Sequence, residues 1–415
     1  MYVLYHNKTK LQAAYLDIRF VSGRMYPMTP DEFDHYVLPT YPRFPITIVR
    51  GEGSYIYDNT GKKYLDFLSG WGVSNLGHRP PAVVQAIEKQ VKELIHVPNV
   101  FYTGQQGQLA KLLVENSLKD GKVFFGNSGA EANEAAIKFA KLYGAGKRFK
   151  IITAERSFHG RTSSAMAATA QGKVKKGFAP LPPGFVHVPF NDAAAMQAAI
   201  DDQTVAIMLE LVQGEGGINI ATPEYVAAIK QLCQDHGLLL IIDEVQSGIG
   251  RTGPLFAYQN YDIEPDLITS AKALASGLPI GAAIAGPKVV PVVKPGLHGS
   301  TFGGGALVVA AAIATLQEIL KPETRENVTR LTALLAAKLA KLAADNPCIT
   351  EIRQQGLMIG LELDKPSDPV AEACLAKGLY VNSTQDTVIR ILPPLTATEE
   401  EAETAISILN EVLQA

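Results

Sequence analysis

The chain has 415 residues, 47% of them hydrophobic and 19% charged, with a formal net charge of −3. This is ordinary globular composition with ample length for a core, and its balance argues against a nucleic-acid or anionic-membrane surface. Three scattered cysteines, Cys233, Cys348 and Cys374, lack CxxC spacing and argue for buried thiols in a reducing, cytoplasmic setting rather than a disulfide frame or zinc site.

No apolar run is long enough to span a bilayer; those at residues 238–242 and 280–293 are short or broken by Gly and Pro. Residues 1–28 read as an extension. Lys8, Lys10, Arg19 and Arg24 face a single acid, Asp17, and no uninterrupted apolar stretch resembles a secretory signal. Residues 29–75 form an N-terminal segment expected to pack with the C-terminal domain, with short strands and turns over residues 50–67. Val83, Val84, Ile87 and Val91 predict a helix over residues 81–93.

Residues 76–305 then alternate strand-like and helix-like runs. Strands are predicted at residues 122–125, 150–153, 186–189, 205–211, 238–242 and 267–269, with helices at residues 130–143 and 224–236. Continuous apolar strands between helices define an α/β fold with a mostly parallel sheet covered on both faces. Residues 306–415 change character. Helices at residues 307–319, 326–343 and 399–413, with strands at residues 349–354, 357–363, 378–381 and 388–391, predict a smaller α+β domain.

In such sheets ligands bind at the carboxyl ends of strands. One predicted strand runs into Asp243-Glu244, another contains Glu210, and a third exits into Ser270-Ala271-Lys272. A buried acid and lysine contribute little stability as a pair, so their convergence points to a site. The run 126–130, GNSGA, leads from a strand into a helix and would aim free backbone N–H groups at an anion; a plain N-cap by Ser128 or Asn127 is the competing reading. The run 248–253, GIGRTG, matches the dinucleotide pattern GxGxxG, but residues 243–247 separate it from the strand and no helix follows at once, so that reading is rejected. No GxxxxGK[ST] or HExxH motif is present.

The run from Asp243 to Gly253, with Lys272 ahead of the GLPIGA stretch at residues 277–282, resembles the core signature of class III aminotransferases that use pyridoxal 5'-phosphate (PLP). NSGAEAN (127–133), FHGRT (158–162), QGEGG (213–217) and HGSTFGG (298–304) agree in order and spacing. The resemblance covers roughly residues 41–395. It implies the fold-type-I PLP architecture, with a large seven-stranded-type sheet domain and a small domain, and a homodimer. It implies Lys272 as the lysine that condenses with the PLP aldehyde and moves the proton, and Asp243 as the partner of the pyridine nitrogen. Val245 and Phe158 would pack on the two ring faces, Gln246 would bond near the ring oxygen, and Ser128, Gly129 and Ala130 would hold the phosphate. Thr301 would reach the phosphate of the other subunit. On the substrate side the resemblance implies Arg161 and Arg390 as carboxylate clamps, Glu210 as the glutamate that pairs with the second arginine, and Tyr41 and Ser300 near the entrance.

Residues 41–67 and 94–102 look most like the branch of the family that acts on N-acetylornithine, passing its terminal amino group to 2-oxoglutarate in arginine biosynthesis to give N-acetylglutamate 5-semialdehyde and glutamate. Ornithine, succinylornithine, succinyl-diaminopimelate and 4-aminobutyrate are the alternative donors. Leu211, Gly305, Trp71 and the His78-Arg79-Pro80 run depart from the usual pattern and bear on donor choice. A PLP isomerase on the same scaffold is disfavoured by the two arginines, and a non-enzymatic binding protein by Lys272 with Asp243.

Overall fold

The computed structural model describes residues 28–415; the basic extension at residues 1–27 lies outside them. Contacts divide the chain at Thr47/Ile48. The described part of the first unit, residues 28–47, carries one helix, Pro30–Tyr36, held at its start by a reciprocal Thr29–Glu32 capping box.

The second unit, Ile48–Ala415, contains all strands of the described residues. In chain order they are β1 (Ile48–Glu52), β2 (Tyr55–Asp58), β3 (Lys63–Asp66), β4 (Lys122–Gly126), β5 (Lys150–Ala154), β6 (Phe185–Val188), β7 (Thr204–Leu209), β8 (Val212–Gln213) and β9 (Asn219–Ile220). Then follow β10 (Leu239–Asp243), β11 (Leu267–Ser270), β12 (Gly281–Ala285), β13 (Ile349–Gln355), β14 (Met358–Leu363), β15 (Leu379–Tyr380), β16 (Asn382–Thr384) and β17 (Val388–Ile391).

The seven-stranded sheet has the order β4-β12-β11-β10-β7-β5-β6. β10 pairs in parallel with β7 and β11, and β5 with β7 and β6; β12 runs antiparallel to both β11 and β4. Both faces are buried. Leu239 and Ile241 pack in one core cluster with Ile137 and Phe139 of the helix Gly129–Tyr143, while Leu240 and Ile242 pack in the other with Val226 and Ile229 of the helix Pro223–His236. This period-2 division explains why the strands read as unbroken apolar runs. Each fully buried Leu or Ile contributes roughly 1.5–3 kcal/mol. The helix Pro223–His236 is delimited by its Thr222 N-cap and by left-handed Gly237, at φ 59°.

Helices Ala306–Ile319, Pro322–Asp345 and Glu399–Leu413 and the four-stranded sheet β13-β14-β17-β16 follow. A second four-stranded sheet, β1-β2-β3-β15, pairs the beginning of the unit with its end: Leu65 is opposite Leu379 in parallel. Thus all six strands predicted for the large sheet are present, and β12 completes the seven. A helix over Gly104–Glu115 had no counterpart in the sequence reading.

Candidate active site

Asp243, the last residue of β10, is 3% exposed. Its Oδ2 accepts from Asn133 Nδ2 at 2.8 Å and lies 2.8 Å from His159 Nδ1, the donor that a carboxylate acceptor requires. Oδ1 takes the Val245 N–H at 3.0 Å and, among the described residues, no second donor. Asn133 is itself fixed: its amide donates to the His159 carbonyl at 2.7 Å and accepts from Thr269 on β11 at 2.7 Å. Burial pushes His159 towards its neutral form, but the bond to Asp243 and the charges of Asp243 and Glu210 outweigh this and raise its pKa. The arrangement is a negative group locked from behind, with one oxygen left for a protonated ring nitrogen.

Lys272 stands just past the end of β11 in a left-handed backbone conformation, φ 42°. A non-glycine residue held there is strained and must be over-determined by its surroundings. Its accessible surface is intermediate, so it borders an opening, yet burial of its amine lowers its pKa; Glu215 opposes this and Arg390 adds to it.

The helix Gly129–Tyr143 starts beside the loop that follows Asp243. Ser128 caps it, accepting the Glu131 N–H at 3.2 Å, while Gly129 and Ala130 occupy the first turn, where N–H groups have no helical acceptor. The capping reading of this turn is thus observed, and it leaves the first-turn N–H groups of Gly129 and Ala130 free for an anion. A Cβ on Gly129 would lie 2.7 Å from Val245 Cγ1, so glycine is what lets the helix start approach the loop after Asp243. Ser300 closes the other side, its hydroxyl accepting from Asn127 Nδ2 at 3.1 Å and from the Gly303 N–H at 3.0 Å. Thr301 beside it is exposed.

Arg390, on β17, is fully buried. Nη1 donates to Glu215 Oε1 at 2.6 Å, to the Gly214 carbonyl at 2.9 Å and to Gln246 Oε1 at 3.3 Å; Nε donates to Asn382 at 3.0 Å. Nη2 is buried without a partner. Here the geometry corrects the sequence reading: the glutamate paired with Arg390 is Glu215, not Glu210. Glu210 turns to backbone amides instead, accepting from Phe158 N at 2.9 Å and Gly214 N at 3.3 Å. The reason is register. Glu210 directly follows β7, whereas the β8–β9 turn swings Glu215 towards β17. Burial pushes Glu210 up to about 7; burial also pushes Glu215 upward, but the charges of Arg390 and Lys272 hold it at about 2.

Gln246, expected near a ring oxygen, is engaged between Arg390 and the Trp71 carbonyl, to which its amide donates at 3.3 Å. Arg161 is exposed, with its guanidinium 5.8 Å from the Phe158 ring centre and, among the described residues, no ion-pair partner. The helix Ser163–Ala168 beyond it is capped by Glu134 of the phosphate-side helix, which accepts from Ser164 N at 2.8 Å and Ala165 N at 3.1 Å. Tyr41 belongs to the first unit, where it is exposed.

The sequence reading missed Asn133, His159 and Glu215 as site residues. Each sits inside a motif it had quoted: Asn133 three residues from Ala130, His159 next to Phe158, and Glu215 five residues past Glu210.

An open α/β sheet with a lysine, a locked acid and a helix start converging at its carboxyl edge is the site of a PLP-dependent transferase, and the cradle at Gly129, the open side of Asp243 Oδ1 and the buried amine of Lys272 fit that cofactor. The chain belongs to Aminotransferase class-III, whose family pattern matches residues 36–413. It is 49% identical over 383 residues, 91% of this chain and 97% of the relative, to a protein called acetylornithine aminotransferase from Caldanaerobacter subterraneus subsp. tengcongensis. Among solved structures it resembles N-acetylornithine aminotransferase from Stenotrophomonas maltophilia, with TM-score 0.78 and 34% identity, covering 90% of this chain and 96% of that one. It also resembles ornithine aminotransferase from Toxoplasma gondii, with TM-score 0.87 and 30% identity over 98% of each chain; that structure is described as having partial occupancy of PLP at the active site. The protein is a PLP-dependent aminotransferase.

Proposed function

We propose that the enzyme moves the terminal amino group of N-acetylornithine to 2-oxoglutarate, giving N-acetylglutamate 5-semialdehyde and glutamate. The observation that carries the reading is the Arg390–Glu215 pair beside Lys272. A buried guanidinium holds an internal carboxylate on one nitrogen and keeps another unpaired. A 2-oxo dicarboxylate can take the arginine with one carboxylate by displacing Glu215, whereas N-acetylornithine, which has no carboxylate on its amine-bearing carbon, leaves the pair closed. Arg161, uncommitted at the mouth, takes a substrate carboxylate bidentately.

When bound, PLP supplies a protonated heterocycle that accepts the electron pair of the substrate's breaking C–H bond. Asp243 holds that ring's nitrogen charged, and Asn133 and His159 keep the carboxylate in place. Lys272 Nζ, kept towards its neutral form by burial, would hold the cofactor between turnovers and carry the proton lost from the amine-bearing carbon across to the cofactor, so that the amino group stays there. Gly129, Ala130 and Ser128 bind the phosphate, and Phe158 and Val245 flank the ring. Ser300 borders the substrate entrance.

Large exposed apolar side chains support a homodimer: Ile95 at 59%, Val100 at 83%, Phe101 at 64% and Phe302 at 65% exposure. Thr301, next to Phe302, would then reach the partner's phosphate. The separate sheet β13-β14-β17-β16 supports dividing a C-terminal domain, residues 306–415, from a cofactor domain, residues 76–305. No helix of the described residues is long and apolar enough to cross a membrane.

A panel of amino donors with 2-oxoglutarate tests the reading: N-acetylornithine should give the highest kcat/KM. Preference for ornithine would move the enzyme to the activity named for the Toxoplasma relative, and preference for 4-aminobutyrate would overturn the donor assignment.

A further inference from the structure

Glu210 follows β7 at the carboxyl edge of the large sheet and is 6% exposed. Both its oxygens go to backbone. Oε2 accepts the Phe158 N–H at 2.9 Å and Oε1 the Gly214 N–H at 3.3 Å. These amides belong to two different loops. One carries FHGRT and joins β5 to the helix Ser163–Ala168; the other carries QGEGG and turns from β8 into β9.

Burial and the charge of Asp243 push Glu210 up to about 7, against the pull of His159 and the two amides. A second acid beside Asp243 is therefore costly to keep. An apolar side chain of the same size would leave both N–H groups unsatisfied, at about 1–3 kcal/mol each. Glutamine has one acceptor oxygen, and its amide would turn an N–H towards the second donor. A carboxyl accepts from both loops at once.

The FHGRT loop is held closely on every other side. Gly160, at φ 135°, lies where a Cβ would stand 2.9 Å from Ala130 Cβ, so the loop passes directly against the start of the helix Gly129–Tyr143. The His159 carbonyl accepts from Asn133 at 2.7 Å, and the His159 N–H donates to Thr169 Oγ1 at 2.8 Å. Upstream, the Glu155 carbonyl accepts from Gln213 Nε2 at 2.8 Å. Phe158 lies between these anchors, half-buried, with its own N–H on Glu210.

We propose that Glu210 is a positioning residue for the cofactor ring: by accepting the Phe158 N–H from the exit of β7, it fixes the backbone from which the Phe158 side chain covers that ring. This rests on the reading of Phe158 as a residue that flanks the ring.

The test is a double-mutant cycle in the full-length, PLP-loaded enzyme, with Glu210→Gln, Phe158→Leu and the two combined. Visible circular dichroism of bound PLP reports the contacts around the ring, titration of the stripped enzyme with PLP gives Kd, and far-UV circular dichroism reports the fold. Phe158→Leu should change the visible signal and raise Kd for PLP about 3- to 10-fold. Glu210→Gln should change the visible signal in the same direction and lower kcat about 10-fold, with KM for either substrate held within about 3-fold. Added to Phe158→Leu, it should have almost no further effect on the signal or on Kd, because the side chain it positions is already gone. Effects that add in the combined variant, an unchanged visible signal in Glu210→Gln, or loss of the native far-UV spectrum there would each overturn the proposal. If Phe158→Leu instead leaves both the visible signal and Kd at wild-type values, it is the assignment of Phe158 to the ring face that fails.

Discussion

The two ends of β10 and β11 carry similar acids under opposite conditions. At the amino ends, Asp266 accepts the Leu240 N–H at 2.9 Å and pairs at 3.0 Å with Lys288, whose side chain is 60% exposed. Water can reach that pair. At the carboxyl ends, Asp243 is 3% exposed and bonded to Asn133, His159 and Val245, and Glu210, Glu244 and Lys272 crowd the same edge. Buried ionisable groups cost stability unless they are paired and hydrogen-bonded. One end of the sheet therefore shows charge serving the fold at low cost, and the other shows charge kept against that cost for chemistry.

The contrast can be broken by substitution. Lys272→Ala should reduce turnover by about 10^3-fold or more and abolish the visible absorbance of bound cofactor; a coloured, active variant would end the account of this edge. Asp243→Asn keeps the shape but removes the charge, and should lower kcat about 10^2- to 10^3-fold with little change in the circular-dichroism melting curve. Near-normal turnover would show that the charge is not needed at the ring nitrogen.

Glu244 sharpens the comparison through pH. Its carboxyl accepts from Ser247 Oγ at 2.6 Å and Tyr258 N at 2.8 Å, and burial pushes its pKa from 4.5 up to about 7. A raised folded pKa means that the neutral form is the one the fold favours. Its stabilising contribution is complete below about pH 4.5 and is lost as pH rises through about 7. Glu244→Gln should flatten the pH dependence of unfolding free energy over that window, by on the order of 3 kcal/mol; Glu210, raised to about 7 as well, contributes to the slope that remains. Denaturant titrations with the same pH slope in both proteins would refute this. Smallest of all, Lys288→Ala at the amino edge should cost no more than about 1 kcal/mol and leave kcat and KM unchanged. A loss of activity there would erase the distinction between the two edges.

Much of the carboxyl edge was legible because chain order reports it: an apolar run that ends in Asp243, and another that ends just before Lys272. What was not legible has identifiable physical causes. The strand β12, GAAIA, consists of small residues buried on both faces, so it shows neither alternation nor bulk. Gly104 and Gly107 mask the helix Gly104–Glu115, whose apolar residues come late in its run. The choice between Glu210 and Glu215 depends on how the β8–β9 turn aims two acids five positions apart, which is a tertiary matter. The left-handed turn at Ser69-Gly70-Trp71, which carries the carbonyl that meets Gln246, likewise follows from packing and not from propensity.

Glu134 has a consequence for how the enzyme can move. It projects from the helix whose start forms the phosphate cradle, and it caps the short helix that follows Arg161. The helix start proposed to hold the cofactor's anion and the arginine proposed to meet the substrate therefore share one scaffold. A movement of Arg161 that keeps the Glu134 bonds must carry the helix start with it or bend within the few residues between Phe158 and Ser163.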